Sequence, residues 1–308
     1  PFGVRRMDRV VNDEQRMSAE SAAVFLAENS TSAQVREVAE KRGGFDRALW
    51  QQVCEMGWST VALPEVAGGM GLGLMELVLL SEQMGAHLAC VPFFDAVVAP
   101  TPLWRHLSAS ETGLAVVERL AQSTKVCVIG MTVRGALSAS ARVVVDGTTL
   151  ILDGQWPQVG SGAAADVFIL PATLPCGSLA LLEVPADAAG LSVQALAAVD
   201  GTRTSANVSA TQVTLPGSAV LVHGDALHSL WDELRSFAAI ALAAEQVGVA
   251  DRALDLAVGY TKERVQFGKA VASFQGLKHK AAQMLVGVEM SRSAVYSAAV
   301  AADAGAVG

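Results

Sequence analysis

The hydrophobic period of this chain changes twice, and that order restricts its folds more than any single motif does. In the first part, up to about residue 123, apolar positions recur at helical spacing. Phe45, Leu49, Val53 and Met56 share one face, and Gly57 ends that helix. A second amphipathic helix starts at Leu74 and runs to Met84. From about residue 125 to 222 the pattern becomes one of short strands, at 126–129, 142–145, 148–152, 167–170, 179–184 and 207–215. Asp146-Gly147 and Asp153-Gly154 supply turns between them. From about residue 225 the helical period returns, with long apolar patterns at 236–260 and 274–302. Regularly spaced short strands predict a small β-barrel or sandwich. The expectation is an α+β chain: an N-terminal helical domain (1–123), a middle β-barrel (124–223) and a C-terminal helical bundle (224–308). The chain opens at Pro1 and stops at Gly308 inside a helical pattern, so the last domain is expected to be truncated.

Between the two long helices lies a polar elbow, Arg264-Val265-Gln266-Phe267-Gly268-Lys269-Ala270-Val271-Ala272-Ser273-Phe274-Gln275. Gly268 suits the end of the first helix, because glycine tolerates a left-handed backbone. Arg264 then falls in the last turn, where a cation offsets the helix dipole. Ser273 is the expected N-cap of the second helix, with Phe274 and Gln275 in its first turn. A helix start with free N–H groups, a Gln amide and an Arg fork can hold an anion such as a pyrophosphate. An ordinary capped elbow with no ligand is the other reading of the same residues.

Composition excludes several classes. A length of 308 residues suits two or three compact units, and 52% apolar residues leave ample core material. No apolar run approaches a membrane span, and no signal-peptide pattern is seen, so a cytoplasmic protein is expected. The net charge of -8 disfavours nucleic acid, which needs a basic surface. Cys54, Cys90, Cys127 and Cys176 are widely spaced and read as buried thiols of a reducing compartment, with no metal site. His87, His106, His223, His228 and His279 are scattered and show no metal-ligand spacing. Gly68-Gly69-Met70-Gly71-Leu72-Gly73 is not a dinucleotide fingerprint: Pro64 and Glu65 stand where a strand should lead in. It is expected to be a packed turn between helices.

Arg264-x-x-Phe267-Gly268 followed by Phe274-Gln275 resembles the signature of acyl-CoA dehydrogenases. Further echoes follow in the same order as in that family. They are Gly57-Trp58, Leu63-Pro64-Glu65, the glycine loop, Asp153-Gly154, Ala165-Asp166 and Asp200-Gly201-Thr202-Arg203. The resemblance covers essentially the whole chain. It implies FAD as cofactor, an acyl-CoA thioester as substrate, α,β-desaturation as the reaction, and a homo- or heterotetramer. It further implies that Arg264, Phe267, Phe274 and Gln275 reach across a subunit interface to the adenosine-pyrophosphate end of a neighbour's FAD.

Two departures bear on mechanism. Family members carry a Thr-Glu-Pro and Gly-Ser-Asp flavin motif after the first strand, where this chain has Gly130-Met131-Thr132-Val133-Arg134-Gly135. They also set a Trp, an apolar residue and a Ser or Thr beside the flavin, aligned here with Gln158, Val159 and Gly160. The pattern is similar to the flavin-site-depleted subunit type of heteromeric bacterial steroid acyl-CoA dehydrogenases. A barrel that binds FAD through main-chain groups stays open as an alternative. The implied chemistry also needs a carboxylate to take a proton from the thioester α-carbon. One family position for it aligns near Ala238, which cannot act. The catalytic base is therefore unknown. Glu245 is read as structural, and Arg235 as a weak candidate for CoA contact. A flavin monooxygenase or nitroalkane-oxidising enzyme of the same fold, and a non-catalytic partner that completes another chain's site, are the alternatives.

Overall fold

A computed structural model of the protein describes residues 11–41, 45–121, 125–131, 141–146 and 148–305. Helices α1 (Asp13–Asn29), α2 (Ser32–Ala39), α3 (Arg47–Glu55), α4 (Leu74–Ala86), α5 (Thr101–Leu107) and α6 (Glu111–Leu120) come first. Strands β1 (Cys127–Ile129), β2 (Arg142–Asp146), β3 (Thr149–Gly160), β4 (Val167–Thr173), β5 (Leu179–Pro185), β6 (Leu191–Ala195), β7 (Ser205–Pro216) and β8 (Val220–His223) follow. Helix α7 (Asp225–Glu263), the short strands β9 (Val265–Gln266) and β10 (Lys269–Ala270), and helix α8 (Gln275–Asp303) end the chain. The helical, strand, helical order is the one expected.

The described residues divide into two compact units. One gathers those of Pro1–Ser32, Leu74–Ala89 and Ala239–Ala306, and the other those of Ala33–Gly73 and Cys90–Ala238. In the second unit the strands form one eight-stranded sheet in the order β6-β7-β3-β2-β4-β5-β8, with β1 parallel to β4. Among the described residues β6 and β8 are ends that do not pair with each other, so closure into the expected barrel is not seen. The expected turn at Asp153-Gly154 is instead a bulge, and β3 runs straight through it against β7. The Asp153 carboxylate accepts from the Gln212 backbone N–H (2.8 Å) and side-chain amide (2.6 Å) across the strands, which stitches the irregular register. The other expected turn falls on residue 147, outside the described residues. One face of the sheet is covered by a core that includes Leu103, Trp104, Leu120, Ile169, Leu181 and Trp231.

The glycine loop is a packed turn, as expected. Gly68 and Gly71 have positive φ (70° and 67°), and Arg105 donates to the Ala62 and Leu72 carbonyls at 3.0 and 2.9 Å, which pins the loop. The thiols differ from expectation at one place. Cys90 and Cys127 are buried, Cys54 is half-buried, but Cys176 is exposed in the turn before β5. Burial, then Asp46 and Asp200, push the Cys90 thiol up to about 11.

In the first unit, α4 and α7 cross on two glycines. A β-carbon on Gly85 would run into the Glu245 carbonyl, its carbon 2.8 Å away. One on Gly248 would run into the Glu82 carbonyl in the same way. Beside this crossing Arg292 of α8 is 8% exposed and bridges three acids. They are Glu82 of α4 at 2.8 Å, Asp251 of α7 at 2.6 Å, and Glu289 of its own helix. Tyr296 donates to the other Glu82 oxygen at 2.8 Å. Burial alone would pull the guanidinium's pKa down, yet Glu82, Asp251 and Glu289 hold it above its ordinary value. Burial and the Glu82 charge likewise push the Tyr296 phenol upward. The start of α4 is capped from a distance: Asp303 accepts from the Leu74 and Met75 N–H groups at 2.7 and 3.0 Å.

Gly248→Ala overpacks the crossing and is expected to destabilise the chain by about 1–3 kcal/mol. Gly259→Ala, with nothing within 4 Å of its added carbon, is expected to stabilise the same helix by up to about 1 kcal/mol. Equal effects in denaturant titrations would contradict the close approach. Arg292→Ala leaves Glu82 buried without its partner and should cost about 3–5 kcal/mol. A loss under about 1 kcal/mol in the same titration would mean the cluster is solvated.

Candidate functional site

The elbow is built differently from a capped helix end. Helix α7 stops at Glu263, and the Arg264 N–H still reaches the Tyr260 carbonyl (2.9 Å). The chain then makes a two-residue β-hairpin, with Val265 opposite Ala270 and Gln266 opposite Lys269. Its tip is Phe267-Gly268, at φ 55° and 74°. Two positive φ values make a type I′ turn, whose twist suits a tight hairpin. Gly268 therefore does not end the first helix. It takes the second left-handed position of a turn that lies beyond that helix. The Val271 N–H donates to the Arg264 carbonyl (2.8 Å) and closes the hairpin base.

Ser273 does not cap α8 either. A single tight turn, Val271–Ser273, absorbs it, and the N-cap is Phe274. Phe274 has no side-chain acceptor to give, so the first turn of α8 keeps donor capacity for another acceptor. The two aromatic rings meet edge to face, with centroids 6.3 Å apart, and the Lys269 ammonium lies 4.4 Å from the Phe274 centroid. Arg264 and Gln275 are exposed, Phe274 is half-buried, and Phe267 is 91% exposed. Arg264, Lys269, Lys278 and Lys280 give the elbow and the start of α8 a positive character.

Phe267 is unusual on two counts. A bulky residue rarely adopts positive φ, and such a residue in αL costs roughly 1–2 kcal/mol. Asn or Gly is the residue a type I′ turn prefers at that place. The fold alone gives no reason for an aromatic ring held out into solvent by a strained backbone. No sequence signal marks the hairpin: its strands are two residues each, and its tip is not Asn-Gly.

The remaining candidates lie elsewhere. Ala238 is buried on α7, and Glu245 is half-buried where α4 packs on its carbonyl. Arg235 is exposed and sits 3.5 Å from Asp232. In the second unit Gln158 and Ser161 both have positive φ (55° and 49°) at the end of β3. Residues 132–140, which include part of the stretch aligned with the flavin motif, lie outside the described residues. Among the described residues no group of three or more His, Cys, Asp or Glu could hold a metal ion. No helix among them is long and apolar enough to cross a membrane.

The chain thus runs from helices through a sheet to two long helices joined by a solvent-facing hairpin. A profile described as "Acyl-CoA dehydrogenase, N-terminal domain" matches residues 12–110, and one described as "Acyl-CoA dehydrogenase, C-terminal domain" matches residues 236–307. The chain belongs to the acyl-CoA dehydrogenase family of oxidoreductases, whose members bind FAD. It is similar to the acyl-CoA dehydrogenase IpdE2 of Mycolicibacterium smegmatis, 28% identical over 290 residues, covering 93% of this chain and 76% of that protein. Among solved structures it is similar to the steroid ACAD Tcur3481-Tcur3483 (29% identity, TM-score 0.81, covering 96% of this chain and 79% of that one). The ChsE4-ChsE5 complex from Mycobacterium tuberculosis, at 24% identity, shares the fold (TM-score 0.79, covering 95% and 78%).

The elbow fits the diphosphate end of FAD, since it offers an Arg fork, an amide and an uncapped helix start. At one position the described part of the middle sheet lacks the hydroxyl that the resemblance would set beside the flavin ring. The residue aligned with the family's Ser or Thr is Gly160, and a β-carbon there would meet the Asp95 carboxyl.

Phe267→Asn is expected to raise stability by about 0.5–1 kcal/mol, because Asn accepts the left-handed position more easily. Denaturant midpoints of the two chains decide it. A clear loss of stability would mean that the ring supports the fold.

Proposed function

We propose that this chain is a subunit of an FAD-dependent acyl-CoA dehydrogenase that catalyses α,β-desaturation of an acyl-CoA thioester. Its elbow serves a neighbouring subunit. Arg264 and Gln275 grip the neighbour's FAD diphosphate, and Phe267 and Phe274 cover the adenosine end. The observation that carries this reading is Phe267, exposed and held at positive φ where turn chemistry would choose Asn or Gly. Strain retained at an exposed aromatic is well explained by a surface that is covered in the assembly.

Within that family the chain is read as the flavin-site-depleted subunit of a heteromeric, cytoplasmic enzyme. The Gly160–Asp95 contact and the inert Ala238 support it. Likeness to IpdE2 and to the steroid ACAD supports a bulky steroid-derived acyl group as substrate. The division at 1–123, 124–223 and 224–308 is retained as the domain plan of such a subunit. When bound, FAD accepts the electrons of the desaturation. This chain's part is to hold and orient the cofactor's distal end. A monooxygenase of the same fold is separated by anaerobic reduction with acyl-CoA, which the dehydrogenase performs without oxygen.

Arg264→Ala and Phe267→Asn, each in the co-purified oligomer, are expected to weaken FAD retention about tenfold or more. For Arg264 a lost charge-assisted hydrogen bond contributes roughly 1.5–3 kcal/mol, and for Phe267 a lost stack on the adenine contributes roughly 1–3 kcal/mol. Flavin absorbance per oligomer after dilution is the measurement, with oligomer size checked by sedimentation. Unchanged flavin content in both variants would refute the role of the elbow.

A further inference from the structure

We infer that Asp95 closes the place beside Gly160 from which the family sets a hydroxyl against the flavin ring, so that the described part of this chain's middle domain offers the ring no contact there. The inference deepens the flavin-depleted reading and rests on it. Three features converge on that carboxyl. It stands on a single π-helical turn, Phe94–Val98, an irregularity that re-aims the side chains it carries. Gly160 faces it: a β-carbon there would collide with Oδ1, with Cγ at 2.9 Å and Oδ2 at 3.0 Å. Ser161, only 6% exposed and at φ 49°, donates from Oγ to Oδ2 at 2.6 Å.

Arg203 completes the setting. Its guanidinium lies 5.2 Å from the Phe94 ring centroid, next to Asp95 in sequence. Burial pushes the Asp95 carboxyl above the ordinary carboxylate range, while the Ser161 hydrogen bond and the Arg203 charge pull it down. A left-handed serine, a π-turn and a glycine each carry a conformational cost. Together they seat one carboxyl in the volume that a side chain at position 160 would otherwise fill. By the resemblance, that is the position from which relatives set a hydroxyl beside the flavin. Here the carboxyl and its serine are satisfied by each other and leave no such hydroxyl facing outward.

The test is a double-mutant cycle with FAD counting. Gly160→Thr should lower the Tm by about 5 °C, because Asp95 must be displaced from a packed site. Adding Asp95→Gly should restore most of that loss, and Asp95→Gly alone should be far milder than Gly160→Thr. The wild-type chain titrated with free FAD should show no saturable flavin binding, and the heteromer should carry flavin only in the number of its partner chains. A Gly160→Thr Tm equal to wild type, or a 1:1 flavin complex of the lone chain, overturns the inference. The two readings fail separately. Arg264→Ala that leaves flavin in the heteromer removes the elbow's role, while the thermal cycle at Gly160 and Asp95 reports on the ring position alone.

Discussion

A single buried guanidinium ties together the helices from which the elbow projects. Arg292 of α8 bonds to Glu82 of α4 and Asp251 of α7, beside a crossing made possible by Gly85 and Gly248. Backbone-close packing removes the freedom of α4 and α7 to slide, and the ion cluster fixes the rotation of α8 against them. The hairpin between α7 and α8 is thus anchored at both ends. An exposed two-residue turn would otherwise be among the least ordered parts of a chain. Buried ion pairs are weak sources of net stability, but they specify one arrangement, because any other leaves a charge unpaired.

On that frame the elbow can carry strain without losing shape. The Arg264–Val271 hydrogen bond, the edge-to-face rings and the Lys269–Phe274 contact all lie within a dozen residues. They present Phe267 at a fixed height and leave the first turn of α8 open as a donor surface. The second unit shows the opposite use of strain. At Gly160 and Ser161 irregular backbone draws a carboxyl inward and fills space. One region holds a side chain out into solvent and the other draws one in.

Much of the fold was legible in the sequence. The switch from period 3.6 to period 2 and back located the helices and the sheet, because amphipathic burial imposes those periods directly. Gly57 beyond the end of α3 follows from local chemistry. The Asp153-Gly154 pair misled, since its turn residues serve a bulge stabilised by Gln212 from a distant strand. Gly268 and Ser273 misled for a related reason. Each suits a cap, but the hairpin register and the tight turn before α8 assigned them other work.

The sequence by itself determined the order of helical and strand segments and the family, and it marked Arg264, Phe267, Phe274 and Gln275 as candidates in the elbow. These are written in local periodicity and in a contiguous motif, which need no partner to be read. Only the tertiary structure decided that Phe267 stands at positive φ in solvent, that Arg292 unites three helices, and that Asp95 fills the space beside Gly160. Arg292 lies 210 positions from Glu82 and 41 from Asp251, and Asp95 and Ser161 lie 66 apart, while the Phe267 angle is set by the hairpin register; no one-dimensional pattern encodes the meeting of side chains so far separated along the chain.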